Sequence, residues 1–153
     1  TKASMKILIV GFIFLFTLIG YFYFSPSYSL SRAAQKAYEA KDYHNAYELS
    51  SEALKKDPYN KSAFQVFSQS RQRINIQQFL QNTIKNHQRV LKILKNPTIT
   101  AEEFLELQWI YDEFMEVYSN LLLYNYPTPK ERQEITRYVE WFEVLKQRLM
   151  EVK

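Results

Sequence analysis

The side chains that most often carry chemistry are sparse in this 153-residue chain. Its two histidines, His44 and His87, lie 43 positions apart, and cysteine is absent. That removes disulfides, thiolate ligands and a cysteine nucleophile. Zinc sites need close ligand pairs such as His-Glu-x-x-His, and none is present. His44 reads as a solvated turn residue and His87 as a histidine satisfied within an apolar helical stripe. Glu102, Glu103 and Glu106 are close enough for acid–base work. They fall in the first turns of a helix, however, where the positive end of the helix dipole accounts for them. The expectation is no enzyme, no metal and no cofactor. Glycine sharpens it: Gly11 and Gly20 are the only two, both inside an apolar run. A Walker A loop, a dinucleotide fingerprint and a nucleophile elbow all require glycine backbone geometry. Tight primed hairpin turns require it too, which disfavours an all-β fold.

The elements must therefore be helices. Residues 61–95 contain no Gly, Pro, Asp or Glu but seven Lys or Arg. Such a run predicts one long helix, or two meeting at a bend, acting as a spine for the elements on either side. Its apolar stripe is Phe64, Phe67, Arg71 and Ile74, then Ile76, Leu80, Ile84, His87, Leu91 and Leu94. The two-residue step from Ile74 to Ile76 turns the stripe by roughly 200°, making the spine a joint between two packing units.

Residues 7–24 carry no charge and are rich in Ile, Leu and Phe. At 1.5 Å per residue they span roughly 27 Å, close to one hydrocarbon core. Tyr21 and Tyr23, with Phe22 and Phe24, suit the membrane–water interface. A cleaved signal peptide shares the basic start and apolar core, but its core is usually shorter, so an uncleaved anchor is expected. Lys2 and Lys6 favour a cytoplasmic N-terminus. The helical domain would lie on the far side, which is the periplasm if the source is bacterial. The net charge of +4 over the whole chain falls to 18 basic against 16 acidic residues once Lys2 and Lys6 are set aside, which is no nucleic-acid footprint.

Ser25-Pro26-Ser27 reads as a linker. Helical segments follow at 30–41 and 43–56, stopped by Asp57-Pro58. Leu30, Ala33, Ala34 and Ala37 face Tyr43, Ala46, Leu49, Ala53 and Leu54 in this pattern. With Pro58 set on the terminal proline, residues 27–60 resemble one tetratricopeptide repeat, a helix–turn–helix of 34 residues. Leu30 falls on the first large apolar position, Ala33 and Ala34 on the Leu-Gly pair, Tyr43 on the turn aromatic, and Ala46 and Ala53 on the alanine positions. Ala34 in place of glycine and Ser50 in place of a large aromatic depart from the pattern. Phe64, Phe67 and Ser68 match the opening of a second repeat, so the start of the spine would cap the first. The resemblance implies a concave partner-binding face on the first helix, at Tyr28, Ser31, Arg32, Gln35, Tyr38 and Glu39.

Thr100 with Glu103, and Thr128 with Glu131 around Pro129, are capping boxes that open two more helices. Residues 96–153 thus form a helical hairpin. Phe104, Leu107, Tyr111, Phe114, Tyr118 and Leu121 line one helix; Ile135, Tyr138, Phe142, Leu145 and Leu149 line the other. Residues 96–129 hold six acidic and no basic side chains. An antiparallel turn would set Lys95 near Glu103, Lys92 near Glu106 and Lys85 near Glu113. Exposed pairs of this kind contribute about 0–1 kcal/mol and mainly fix register. Lys85, Arg89 and Lys92, with Trp109 and Trp141, form a second candidate interface. Most of the 25 aromatic residues fit a core at helical spacing; Tyr59, Tyr124, Tyr126, Trp109 and Trp141 exceed what five short helices bury, and such excess amphipathic aromatics suggest protein contacts.

The chain is therefore expected to be an all-α, single-pass protein in four parts: an anchor (1–25), a repeat-like hairpin (26–60), a spine helix (61–95) and a C-terminal hairpin (96–153). Its expected role is a scaffold that holds other protein subunits together beside a membrane, with self-association open and no nucleic acid involved. In architecture it resembles the repeat-containing collar proteins of periplasmic flagella. The rival readings are an accessory subunit of an organellar or energy-transducing membrane complex, and a cleaved, secreted helical binding domain.

Overall fold

The computed structural model describes residues 2–151, with side chains from residue 5; the side chain of Lys2, used above for orientation, lies outside the described residues. Six helices follow one another: α1 Lys2–Phe24, α2 Pro26–Glu39, α3 Tyr43–Lys56, α4 Lys61–Leu94, α5 Ala101–Tyr124 and α6 Pro129–Glu151. No strand occurs among the described residues. The protein is all-α, and Met5–Phe24 is long and apolar enough to cross a membrane.

Helix ends are set by local chemistry, without glycine. α2 starts at Pro26, four residues earlier than the sequence pattern suggests, because proline suits the first helical position. The expected linker shrinks to Ser25, whose carbonyl already accepts from the Ser29 N–H at 3.0 Å. α2 closes in a Schellman arrangement: the Lys41 N–H donates to the Tyr38 carbonyl and the Asp42 N–H to the Ala37 carbonyl, both at 2.9 Å. Lys41 occupies the left-handed position at φ 63° that glycine usually fills. Asp42 then caps α3 by accepting from the Asn45 N–H. The capping box of Thr100 and Glu103 opens α5 as expected. Before α6, the Thr128 N–H donates to Glu131 and the Glu131 N–H to Thr128.

Two compact units divide within α4, after Arg71. In the first, Ala34, Ala37, Ala46 and Val66 form the core, with Tyr38 and Leu49 against them. Their small side chains let α2 and α3 approach closely. Ala33, expected inside, is exposed, and Ser27 and Ser31 take the buried side of α2. Phe67 stacks on Tyr47 at 4.8 Å between ring centroids.

The second unit packs α5, α6 and the rest of α4 around Ile76, Phe79, Leu80, Val90, Ile93, Leu107, Ile110, Phe114, Leu121, Ile135, Phe142, Leu145 and Leu149. Phe142 is fully buried and stacks on Phe114 at 4.2 Å, which contributes on the order of 2–3 kcal/mol through burial.

The inward residues of α4 differ from the expected stripe. In its first half they are Ala63, Val66, Ser70 and Arg73, while Phe64 is 61% exposed and Arg71 is exposed. In its second half Thr83, Val90 and Ile93 are buried, while Ile84, Leu91 and Leu94 are exposed. The inward face still changes along α4, as expected: at about 100° per residue, Ala63, Val66, Ser70 and Arg73 lie roughly 150° from Thr83, Val90 and Ile93, but the change is gradual rather than one step between Ile74 and Ile76. Hydropathy alone skipped the small and polar residues that hold the inner positions.

Candidate interaction surfaces

Two of the six residues expected to line a binding face on α2 are used elsewhere. Ser31 is only 2% exposed and cannot meet a partner. It sits on the inner side of α2 because, with Ser27, it is small enough for close packing. Arg32 points back to α1: its guanidinium donates to the Tyr23 carbonyl at 2.7 Å and lies over the Tyr23 ring at 4.6 Å. A cation at the carbonyl end of a helix satisfies an orphan acceptor and favours the negative end of the dipole. Tyr28 is half-buried and meets Phe22 edge-on at 5.4 Å. Tyr38 packs on Tyr43 at 5.3 Å, and Gln35 donates to Glu39 at 3.0 Å. Gln35 and Glu39 remain exposed. Tyr21 and Tyr23 are exposed at the end of α1, beside Tyr28 and Arg32. This part of α2 braces the hairpin against α1.

The second expected interface divides more sharply. Arg89 makes a two-pronged ion pair with Glu106, at 2.6 and 2.7 Å. The pairing lowers the Glu106 carboxyl below its ordinary range and raises the Arg89 guanidinium. Lys92 was expected opposite Glu106, and the true register lies three residues away. Asn96, rather than Lys95, donates to Glu103. Trp141 is half-buried and meets the His87 ring edge-on at 4.3 Å, with Tyr138 on the same imidazole at 5.6 Å. Burial lowers the His87 pKa and so favours the neutral ring. Tyr111 donates to Glu143 at 3.2 Å, and burial together with that carboxylate raises its pKa.

Lys85, Lys92 and Trp109 remain. Both lysines are exposed, and neither has an ion partner within 4.0 Å among the described residues. Trp109 is 62% exposed in the middle of α5, one turn from Leu105 at 64%. Glu102, Asp112 and Glu116 share that outward side. At about 100° per residue, these five positions fall within an arc of about 80°.

Residues that the sequence did not single out hold the scaffold together. Asn60 is fully buried: its carbonyl oxygen accepts from the Ala63 N–H at 3.0 Å, capping α4, while its amide donates to the Ser27 hydroxyl at 3.0 Å. Ser27 in turn donates to the Ala53 carbonyl at 2.9 Å. Arg73, buried in α4, donates to Glu131 and to the Tyr126 carbonyl. Asn75 donates to Asn125 at 3.1 Å, and Asn125 donates to the Leu121 carbonyl at 3.0 Å. The turn between α5 and α6 is thereby pinned without glycine. Asn60 carried a legible signal, since asparagine before a helical run is a capping residue.

No group of three or more potential metal-ligating side chains occurs among the described residues. No protein-family model, curated protein or solved structure matches the chain.

Proposed function

We propose that the chain is a non-enzymatic, membrane-anchored interaction subunit that holds protein partners beside a bilayer. The observation that carries this reading is the solvent-facing Trp109–Leu105 pair on a well-packed helix, flanked by exposed Glu102, Asp112 and Glu116, of which only Asp112 is approached by a cation, Lys146 at 3.8 Å. Tryptophan is the residue type most enriched at interface hot spots, and burial of this pair would favour association. The exposed apolar surface of α1 supports the anchor. The hairpin of α2 and α3 belongs, in this reading, to a single tetratricopeptide-like repeat capped by α4. Lys6, just ahead of the apolar run, favours a cytoplasmic N-terminal flank and a helical domain on the far side. In a bacterial source this would be a periplasmic subunit of an envelope machine, similar in architecture to flagellar collar proteins.

Alkaline carbonate extraction tests the anchor: the full chain is expected to stay in the membrane pellet, and its release would end the anchored reading. Orientation can be read because the chain lacks cysteine. A Ser119→Cys variant, exposed on α5, should react with an impermeant maleimide from the far side alone. Partner holding is tested by purification in mild detergent. The wild type should come as a stoichiometric complex, and Leu105→Ala/Trp109→Ala should come alone.

A further inference from the structure

We infer that the partner of the Trp109 face is a second copy of this chain, which docks the outward side of its α4 onto the outward side of α5. The inference rests on the interaction-subunit reading and identifies its occupant. The two sides are complementary in charge and each contains apolar side chains. On α5, Glu102, Asp112 and Glu116 surround Leu105 and Trp109, and no basic residue occurs between positions 96 and 129. On α4, Lys85 and Lys92 flank exposed Ile84 and Leu91, and no acidic residue occurs between positions 61 and 95. At about 100° per residue, these four α4 positions fall within an arc of about 120°. That arc lies away from the buried Thr83, Val90 and Ile93.

One copy cannot satisfy both sides by itself. The Arg89–Glu106 pair sets α4 and α5 side by side, which leaves both outward arcs in solvent. Asp112 has only a 3.8 Å approach from Lys146, and Glu102 and Glu116 have no ion partner within 4.0 Å among the described residues. A contact between two different patches of the same chain is heterologous: each copy carries one half of the contact at each side. Such contacts extend head to tail until the rotation closes a ring. Association should weaken as salt screens the charges at the rim.

The test uses the full chain in detergent, with mass followed by sedimentation as concentration and salt vary. Wild type should exceed monomer mass and shift toward monomer at high salt. Leu105→Ala/Trp109→Ala removes the α5 face, and Lys85→Glu/Lys92→Glu removes the α4 face. Each variant should be monomeric, with helix content unchanged because the substituted side chains are exposed in the single chain, and with a melting temperature that no longer depends on protein concentration. Mixed together, the two variants should form dimers and nothing larger, since only one good face of each kind remains. A chain carrying Lys85→Glu/Lys92→Glu together with Glu102→Lys/Glu116→Lys should associate again. Monomeric wild type at every concentration would overturn the inference, even if Trp109 holds a different protein. Assembly of wild-type size in both face variants would also overturn it and would assign association to α1. The carbonate extraction is independent of these outcomes, so loss of self-association and loss of anchoring are read separately.

Discussion

The Asn60 amide donates to the Ser27 hydroxyl at 3.0 Å, and both side chains are closed off from water. This contact ties the start of α2 to the start of α4, and Ser27 extends it to the last turn of α3 through the Ala53 carbonyl.

Asn60→Ala removes the cap on α4 and the amide that Ser27 accepts from. Losing a capping side chain costs about 1 kcal/mol, and orphaning a buried polar group costs about 1–3 more. A loss of about 2–3 kcal/mol is expected in urea unfolding followed by far-ultraviolet circular dichroism. Ser27→Ala leaves the cap intact and should cost about 1 kcal/mol less than Asn60→Ala. Equal losses in the two variants would show that the cap contributes nothing.

Arg73→Met should be the most damaging substitution in the second unit. It leaves the partly buried Glu131 carboxylate and the Tyr126 carbonyl without their cation. Removing one partner of a buried ion pair costs about 3–5 kcal/mol, and the lower figure applies because Glu131 keeps some contact with water. Arg73→Met/Glu131→Gln should recover part of that loss, since the lone charge is gone. Trp109 and Trp141 report the transition by fluorescence. A double variant as unstable as Arg73→Met would place the whole cost in the Tyr126 contact.

His87 should make the second unit acid-sensitive. Its folded pKa is lowered by burial, so between the folded value and the unfolded value near 6.5 the unfolded chain binds more protons. Stability then rises with pH: the contribution of His87 is complete above the unfolded value. It is lost as pH falls below that value toward the folded one. Comparing unfolding at pH 7.5 and 5.5, His87→Gln should remove this part of the acid loss. An unchanged pH slope in the variant would assign the sensitivity to other groups.

Lys41→Gly should stabilise the turn between α2 and α3. Relief of left-handed strain is worth roughly 1–2 kcal/mol. The greater freedom of glycine in the unfolded chain offsets part of it. A net gain of about 0.5–1 kcal/mol is expected from the shift in unfolding midpoint, with no gain from Lys41→Ala. A loss on going to glycine would mean that the lysine side chain itself stabilises the turn.

Helix ends were legible wherever one or two adjacent residues decide them. Thr100 with Glu103, Pro129, Asp42 and Pro58 each act over a single turn, and α3 and α5 start and stop where these residues indicate. Positions decided by distant neighbours were harder to read. Phe64 looks like a core residue by hydropathy, yet Ala63 faces inward because close helix packing favours a small side chain there. Ser31 looked like a surface residue for the same reason in reverse. Lys92 appeared to face Glu106, but helix α4 ends at Leu94 and the turn length before Thr100 brings Arg89 there instead. Trp109 and Lys85 are exposed, as a place on an outward surface requires. Arg73 and Asn125 gave no comparable signal, since their value depends on a turn that lies about 50 residues away along the chain.

Only Ser25 separates α1 from α2, and Arg32 donates to the Tyr23 carbonyl near the end of α1. The hairpin therefore follows α1 through a one-residue joint that the Arg32 contact braces. Helices that cross a bilayer adjust their tilt to its thickness. If α1 spans a bilayer as proposed, a change in its tilt would carry α2 with it, so a thicker or thinner membrane would re-aim the hairpin.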